Sequence, residues 1–169
     1  NPWQALFPAS PSTFLFDSYS RPQIQKEMIH FQQAWEQKSF KIALDCLTKI
    51  LGLGIGLTPT GDDFITGLLA SFSALKQLPS NFQQLAVLAK ERTNAVSYAE
   101  IHEAVNERFS QLVQRVFLSI ESGNTNEMAQ AVSALEEVGS TSGSDILCGI
   151  IFGLKLFCEE NNHDNSNSN

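Results

Sequence analysis

The chain has 169 residues, 43% of them hydrophobic and 17% charged, which suits one globular domain with a buried core. Its net charge of -7, from 11 Lys and Arg against 18 Asp and Glu, argues against nucleic acid, which needs a dense cationic face. The apolar stretches from Phe64 to Leu78 and from Ile146 to Cys158 fall short of the ~20 residues that span a bilayer, so no membrane partner is expected either.

Residues 1–19 contain Pro2, Pro8 and Pro11 without sustained periodicity and read as an extended N-terminal arm. Asn1-Pro2-Trp3-Gln4 carries neither an initiator Met nor the regions of a signal peptide, so a fragment or processed product is expected. Ser20-Arg21-Pro22 supplies a cap and an early-turn proline. Ile24, Met28, Phe31 and Trp35 then form one stripe of an amphipathic helix. Ser39 restarts the pattern, with Phe40, Ala43, Leu44, Leu47, Ile50 and Leu51 inward, until the glycines from Gly52 to Gly61 break it.

A strongly apolar helix is predicted from about Gly61 to Gln77, stopping before Pro79, and a short one over 81–90. Residues 97–121 read as one long helix or two broken near Asn106, and Ser122-Gly123-Asn124 as a turn. Residues 126–138 place Met128, Ala131, Val132 and Leu135 on one face. Gly139 to Ser142 is a loop, 143–159 a final buried helix, and 161–169 a polar, disordered tail. No stretch alternates like a strand. The fold expected is all-α, a compact bundle of six to eight helices, with the helical domain at 20–160. Cys46, Cys148 and Cys158 lack metal-ligand or disulfide spacing and read as buried small hydrophobes, which fits a reducing cytoplasm.

The most informative feature is an internal repeat. Thr58-Pro59-Thr60-Gly61-Asp62-Asp63-Phe64-Ile65-Thr66-Gly67-Leu68-Leu69 aligns without a gap on Ser140-Thr141-Ser142-Gly143-Ser144-Asp145-Ile146-Leu147-Cys148-Gly149-Ile150-Ile151. Thr60 and Ser142 suit the N-cap, with Asp63 and Asp145 at N3, as two capping boxes. Four and eight residues beyond each aspartate stand small residues: Gly67 and Ser71, then Gly149 and Gly153. Residues four apart share a helix face, so the two helices are expected to cross through these faces. Both aspartates would then meet in one cleft.

Two helix N-termini together favour an anion, and the glycine run lets backbone approach it closely. Candidate binding residues are Gly54, Gly56, Thr58, Thr60, Gly61, Arg92, Thr93, Ser140, Thr141, Ser142 and Gly143, with Asp62, Asp63 and Asp145 as candidate catalytic groups. Gly56 and Gly61 have Walker A spacing, but Asp62-Asp63 follows where Lys and Ser or Thr are required, which rejects a nucleotide loop. Asp62 and Asp63 could hold Mg²⁺, with Asp62, free of capping, the one expected to face solvent or metal. Arg92 offers a guanidinium for carboxylate or phosphate. His30 and His102 have no second ligand at metal spacing.

The runs from Gly52 to Leu68 and from Gly139 to Ile150 resemble a family long described as a domain of unknown function, whose members include the AllH-type subunit of oxamate carbamoyltransferase. Arg92-Thr93 with Ser97 is similar to that family's intermediate Arg-Thr-x-x-x-Ser segment. The resemblance covers roughly residues 45–155. It implies carbamoyl transfer between oxalurate and phosphate, giving oxamate and carbamoyl phosphate, in purine catabolism through allantoin. It also implies a complex of different subunits and small anionic substrates. The family commonly has histidine where Ser140 stands, which removes support for acid/base chemistry at that position. Its members are usually longer at the N-terminus, so this chain is expected to represent the helical half. A non-catalytic helical scaffold within such a complex is the alternative.

Overall fold

The computed structural model describes residues 20–166, with side chains described to residue 158. The arm expected at 1–19 and the end of the tail lie outside the described residues. Among the described residues the chain forms eight α-helices and no strand.

Helix α1 (Ser20–Glu36) buries the stripe read from the sequence: Ile24, Met28, Phe31 and Trp35. Helix α2 (Phe40–Ile50) buries Ala43, Leu44, Leu47 and Ile50 against it. Helix α3 (Thr60–Ala74) is buried from Thr60 to Phe72 at every residue except Thr66. A 3-10 turn (Ser80–Gln83) leads into α4 (Gln84–Arg92).

The long apolar run then resolves into two helices. Helix α5 (Ala95–Val105) is capped by Asn94, whose side chain accepts from the Val96 and Ser97 N–H groups. Helix α6 (Gln111–Ser122) is capped by Ser110, and Glu107, with φ of 60°, turns the chain between them. Gly123, with φ of 66°, closes α6 in the left-handed conformation that glycine adopts without a Cβ penalty. Helix α7 (Thr125–Glu136) is capped by Asn124 and buries Ala131 and Leu135. Met128, expected on the same inward face, is exposed.

Helix α8 (Ser142–Ser166) runs past residue 160, where the sequence suggested that the helical domain ends. Extending an existing helix needs no new nucleus, so a polar segment can continue one. Cys46 and Cys148 are buried as expected, whereas Cys158 is exposed: the apolar surroundings that bury the first half of α8 do not reach it.

The axis of the molecule is the crossing of α3 and α8. A Cβ on Gly67 would lie 2.0 Å from the Ile146 carbonyl oxygen, and one on Gly149 would lie 2.1 Å from that of Phe64. The relation is reciprocal: each glycine four residues past its aspartate meets the residue one past the other aspartate. Eight residues past, Gly153 faces Ser71, whose hydroxyl donates to the Ile150 carbonyl at 2.9 Å. Two apolar clusters flank this axis. In one, Trp35 stacks on Phe72 at 4.5 Å, with Phe31, Phe82 and Phe152 around them. In the other, Val113, Val116, Ala131 and Leu135 pack on Ala70, Ile146, Leu147 and Ile150.

Candidate functional site

The glycine that opens each repeat has a packing cause. A Cβ on Gly61 would lie 2.0 Å from the Ile50 carbonyl oxygen, and one on Gly143 would lie 1.8 Å from that of Leu135. Each helix start is thus pressed against the last turn of the preceding helix, α2 or α7. The Gly61 N–H donates to the Leu53 carbonyl at 2.8 Å and the Gly143 N–H to that of Val138 at 3.1 Å.

The capping box read at α3 does not form. The cap position of α3 is Pro59, whose carbonyl accepts from the Asp62 and Asp63 N–H groups at 2.9 and 3.1 Å, with no side-chain cap bond. Thr60 is therefore the first helical residue. In α8 the Thr141 carbonyl accepts from the Asp145 N–H at 2.9 Å, which makes Ser142 the first helical residue there too. Both helices start one residue early, and both aspartates sit one place deeper than N3.

Asp62 does not face solvent. It is buried, one oxygen accepting from the Gly52 N–H at 2.7 Å and the other from the Thr93 hydroxyl. Burial pushes its carboxyl above the ordinary value, against the pull of Gly52, Thr93 and Ser97. Asp62 thereby ties the entrance of the glycine loop to the loop between α4 and α5. Gly52 must be glycine there: its φ is 73° and a Cβ would lie 2.2 Å from the Arg92 carbonyl oxygen. Ser97 is buried, and its hydroxyl donates to the Leu57 carbonyl at 3.4 Å. At the loop tip Ile55 and Leu57 are exposed beside Gly56, whose Cβ would meet nothing.

Asp63 is different. It is 1% exposed, and neither of its oxygens makes a hydrogen bond of good geometry, with the Thr58 and Ser142 hydroxyls, bonded to each other, its nearest polar neighbours. It lies beneath the contact that joins the two repeats, the hydrogen bond of 2.7 Å between the hydroxyls of Thr58 and Ser142. Burial pushes its carboxyl up to about 8; the Ser142 and Thr58 hydroxyls temper that rise, and the charges of Glu100 and Asp145 add to it. At neutral pH it holds its proton. Asp145, also buried, contributes with burial to holding the Cys148 thiol up at about 12.

The fold thus gathers Thr58, Asp63, Ser142 and Asp145 at one junction, with Gly54, Thr60, Gly61 and Gly143 in its backbone. Thr93 belongs to the adjoining clamp on Asp62. Arg92 stands apart: its guanidinium is exposed and donates to the Thr48 carbonyl at 3.2 Å, in the last turn of α2. Ser140 is exposed and Thr141 half-buried at the mouth of α8.

Glu100 of α5 escaped the sequence reading. The residue is exposed, but partial desolvation and the charge of Asp62 raise its carboxyl, and its charge is felt at Asp63. The available signal was its spacing of three from Ser97, which puts both on one face. Glu100 also lines a cleft of about 520 Å³ between α5 and the α6–α7 pair, with Thr66 and Ile146 among its other lining residues. The Arg108 guanidinium paired with Glu103 forms part of its rim.

Mg²⁺ does not fit the Asp62–Asp63 pair. Both oxygens of Asp62 are already engaged by Gly52 and Thr93. Consecutive helical residues also diverge by ~100° about the axis. Among the described residues no group of three or more His, Cys, Asp or Glu side chains could hold a metal ion. Among them, too, no helix is long and apolar enough to cross a membrane.

A family model described as oxamate carbamoyltransferase subunit AllH matches residues 50–154, more than half of the chain and every glycine and carboxylate just placed at the junction. No solved structure matches the chain.

Proposed function

Because the chain belongs to the family of oxamate carbamoyltransferase subunit AllH, we propose that it works as a subunit of a carbamoyl-transferring complex and binds its small anionic substrates where α3 and α8 begin. The observation that carries this reading is the Thr58–Ser142 bond, which closes the two repeats over an unpartnered, protonated Asp63. Positive ends of two helix dipoles converge there, an environment that favours oxamate, oxalurate, phosphate or carbamoyl phosphate. The N–H groups of Gly61 and Gly143 are already engaged by Leu53 and Val138. Hydroxyls and dipoles, rather than those glycine amides, are what the junction presents.

In the implied reaction a phosphate oxygen attacks the carbamoyl carbon of oxalurate, the bond from that carbon to the oxamate nitrogen breaks, and this nitrogen takes a proton. Carbamoyl phosphate and oxamate leave. Such chemistry belongs to purine breakdown through allantoin and to a cytoplasmic complex in which other subunits complete the site. No step is assigned to Mg²⁺.

Thermal unfolding of the full chain with phosphate or oxamate tests the site. Either anion at 100 times its dissociation constant adds ~2.7 kcal/mol, a rise of about 5–10 °C in midpoint. Replacing both hydroxyls, Thr58→Val with Ser142→Ala, removes that rise. A response identical with and without the anions would leave a helical scaffold as the better reading.

A further inference from the structure

We propose that Asp63 recognises the primary amide of the bound anion, pairing with the –C(=O)NH₂ end of oxamate or of a carbamoyl group, because its buried carboxyl meets the Thr58–Ser142 pair with both oxygens unused. The assignment rests on the junction being the anion site. A carboxyl group and a primary amide are complementary: the acid carbonyl accepts an amide N–H while the acid O–H donates to the amide oxygen.

The surroundings fix which end of the ligand points inward. Glu100 on α5 and Asp145 on α8 put acidic groups around Asp63, Asp62 on α3 turns away toward Gly52 and Thr93, and the neutral hydroxyls come from Thr58 and Ser142. Arg21 of α1 is felt one turn further along α8, at Cys148. A carboxylate or phosphate driven against Asp63 would meet the like charges of Glu100 and Asp145, whereas an uncharged amide would not. The anionic end therefore stays with the hydroxyls and the amide end goes down to Asp63. Thr58 and Ser142 are only half-buried, so rotation of their side chains opens the way.

Pyruvate serves as the probe, since it matches oxamate in charge and shape but carries a methyl group in place of the –NH₂. Unfolding midpoints of the full chain are titrated with each anion, for the natural protein, Asp63→Asn and Asp63→Leu. The natural protein and Asp63→Asn, whose amide keeps a donor and an acceptor, should prefer oxamate by about tenfold, and Asp63→Leu should bind the two alike. Equal binding of both anions by the natural protein overturns the assignment and leaves the anion site standing. A preference that survives in Asp63→Leu overturns it as well. Silence toward both anions overturns the anion site itself. Should Asp63→Leu fail to fold, Asp63→Asn decides: a kept preference supports the pairing and a lost one overturns it.

Discussion

The start of α3 and the start of α8 are built on one pattern and put to different uses. In both, a glycine admits the last turn of the preceding helix, a second glycine admits the partner helix, and an aspartate is buried between them. The difference lies one residue before that aspartate. At α3 it is Asp62, which reaches out to Gly52 and Thr93; at α8 it is Ser144, half-buried. The loops differ to match: a run of glycines from Gly52 precedes α3, and a short turn at Gly139 precedes α8. Where the two copies agree they pack, and where they part, α3 gains a clamp that ties the glycine loop to the loop between α4 and α5.

The comparison can be broken first at the shared feature. Gly67→Val and Gly149→Val each force a side chain into the partner's backbone, and each should cost about 3 kcal/mol or more in denaturant unfolding. Equal losses would confirm a reciprocal crossing, whereas a large loss at one site and none at the other would refute it. Next comes the point of difference. Asp62→Ala strands the Gly52 N–H and the Thr93 hydroxyl and should cost about 2–3 kcal/mol, against about 0.5 kcal/mol or less for Ser144→Ala. Matching costs in the same unfolding assay would mean that the clamp adds nothing.

Asp63 provides a pH test. Its carboxyl stands at about 8 in the folded chain against 3.8 ordinarily, so between those values the folded state keeps a proton that the unfolded state releases. Stability is therefore highest at the acid end of the window, falls as pH rises through it, and levels above about 8. The slope from this group is at most about 1.4 kcal/mol per pH unit, and unfolding between pH 5 and 8 measures it. Asp63→Asn should leave only the shallower slope from Asp62 and Glu100, which are raised for the same reason. An unchanged slope would put the proton elsewhere. The smallest effect concerns the pair eight residues along. Gly153→Ser alone crowds Ser71, while adding Ser71→Gly mirrors the natural arrangement and should recover about 1 kcal/mol of the loss in a double-mutant cycle.

Much of this was legible in the residues. The stripe Ile24, Met28, Phe31 and Trp35 announced α1, and the small residues at plus four and plus eight announced the crossing, because helical periodicity leaves few other arrangements. Helix register was not legible: a proline carbonyl caps α3, and backbone acceptors leave no side-chain signature. Nor was the fate of Asp62, since Gly52 and Thr93 converge on it only through the tertiary fold. Glu100 was missed because it is an exposed charged residue on a helix like many others, and only the tertiary fold brings its charge near Asp62 and Asp63. Arg92, read as an anion binder, instead meets the end of α2, where carbonyls lacking helical partners attract a cation.

The interlocked glycines of α3 and α8 have a mechanical corollary. Two rods notched into each other at Gly67 and Gly149 cannot slide or roll without driving backbone into backbone. The central pair is therefore a fixed keel, and the segments that enter it, the glycine-bearing stretch before α3 and the short turn before α8, are built onto a frame that does not shift beneath them.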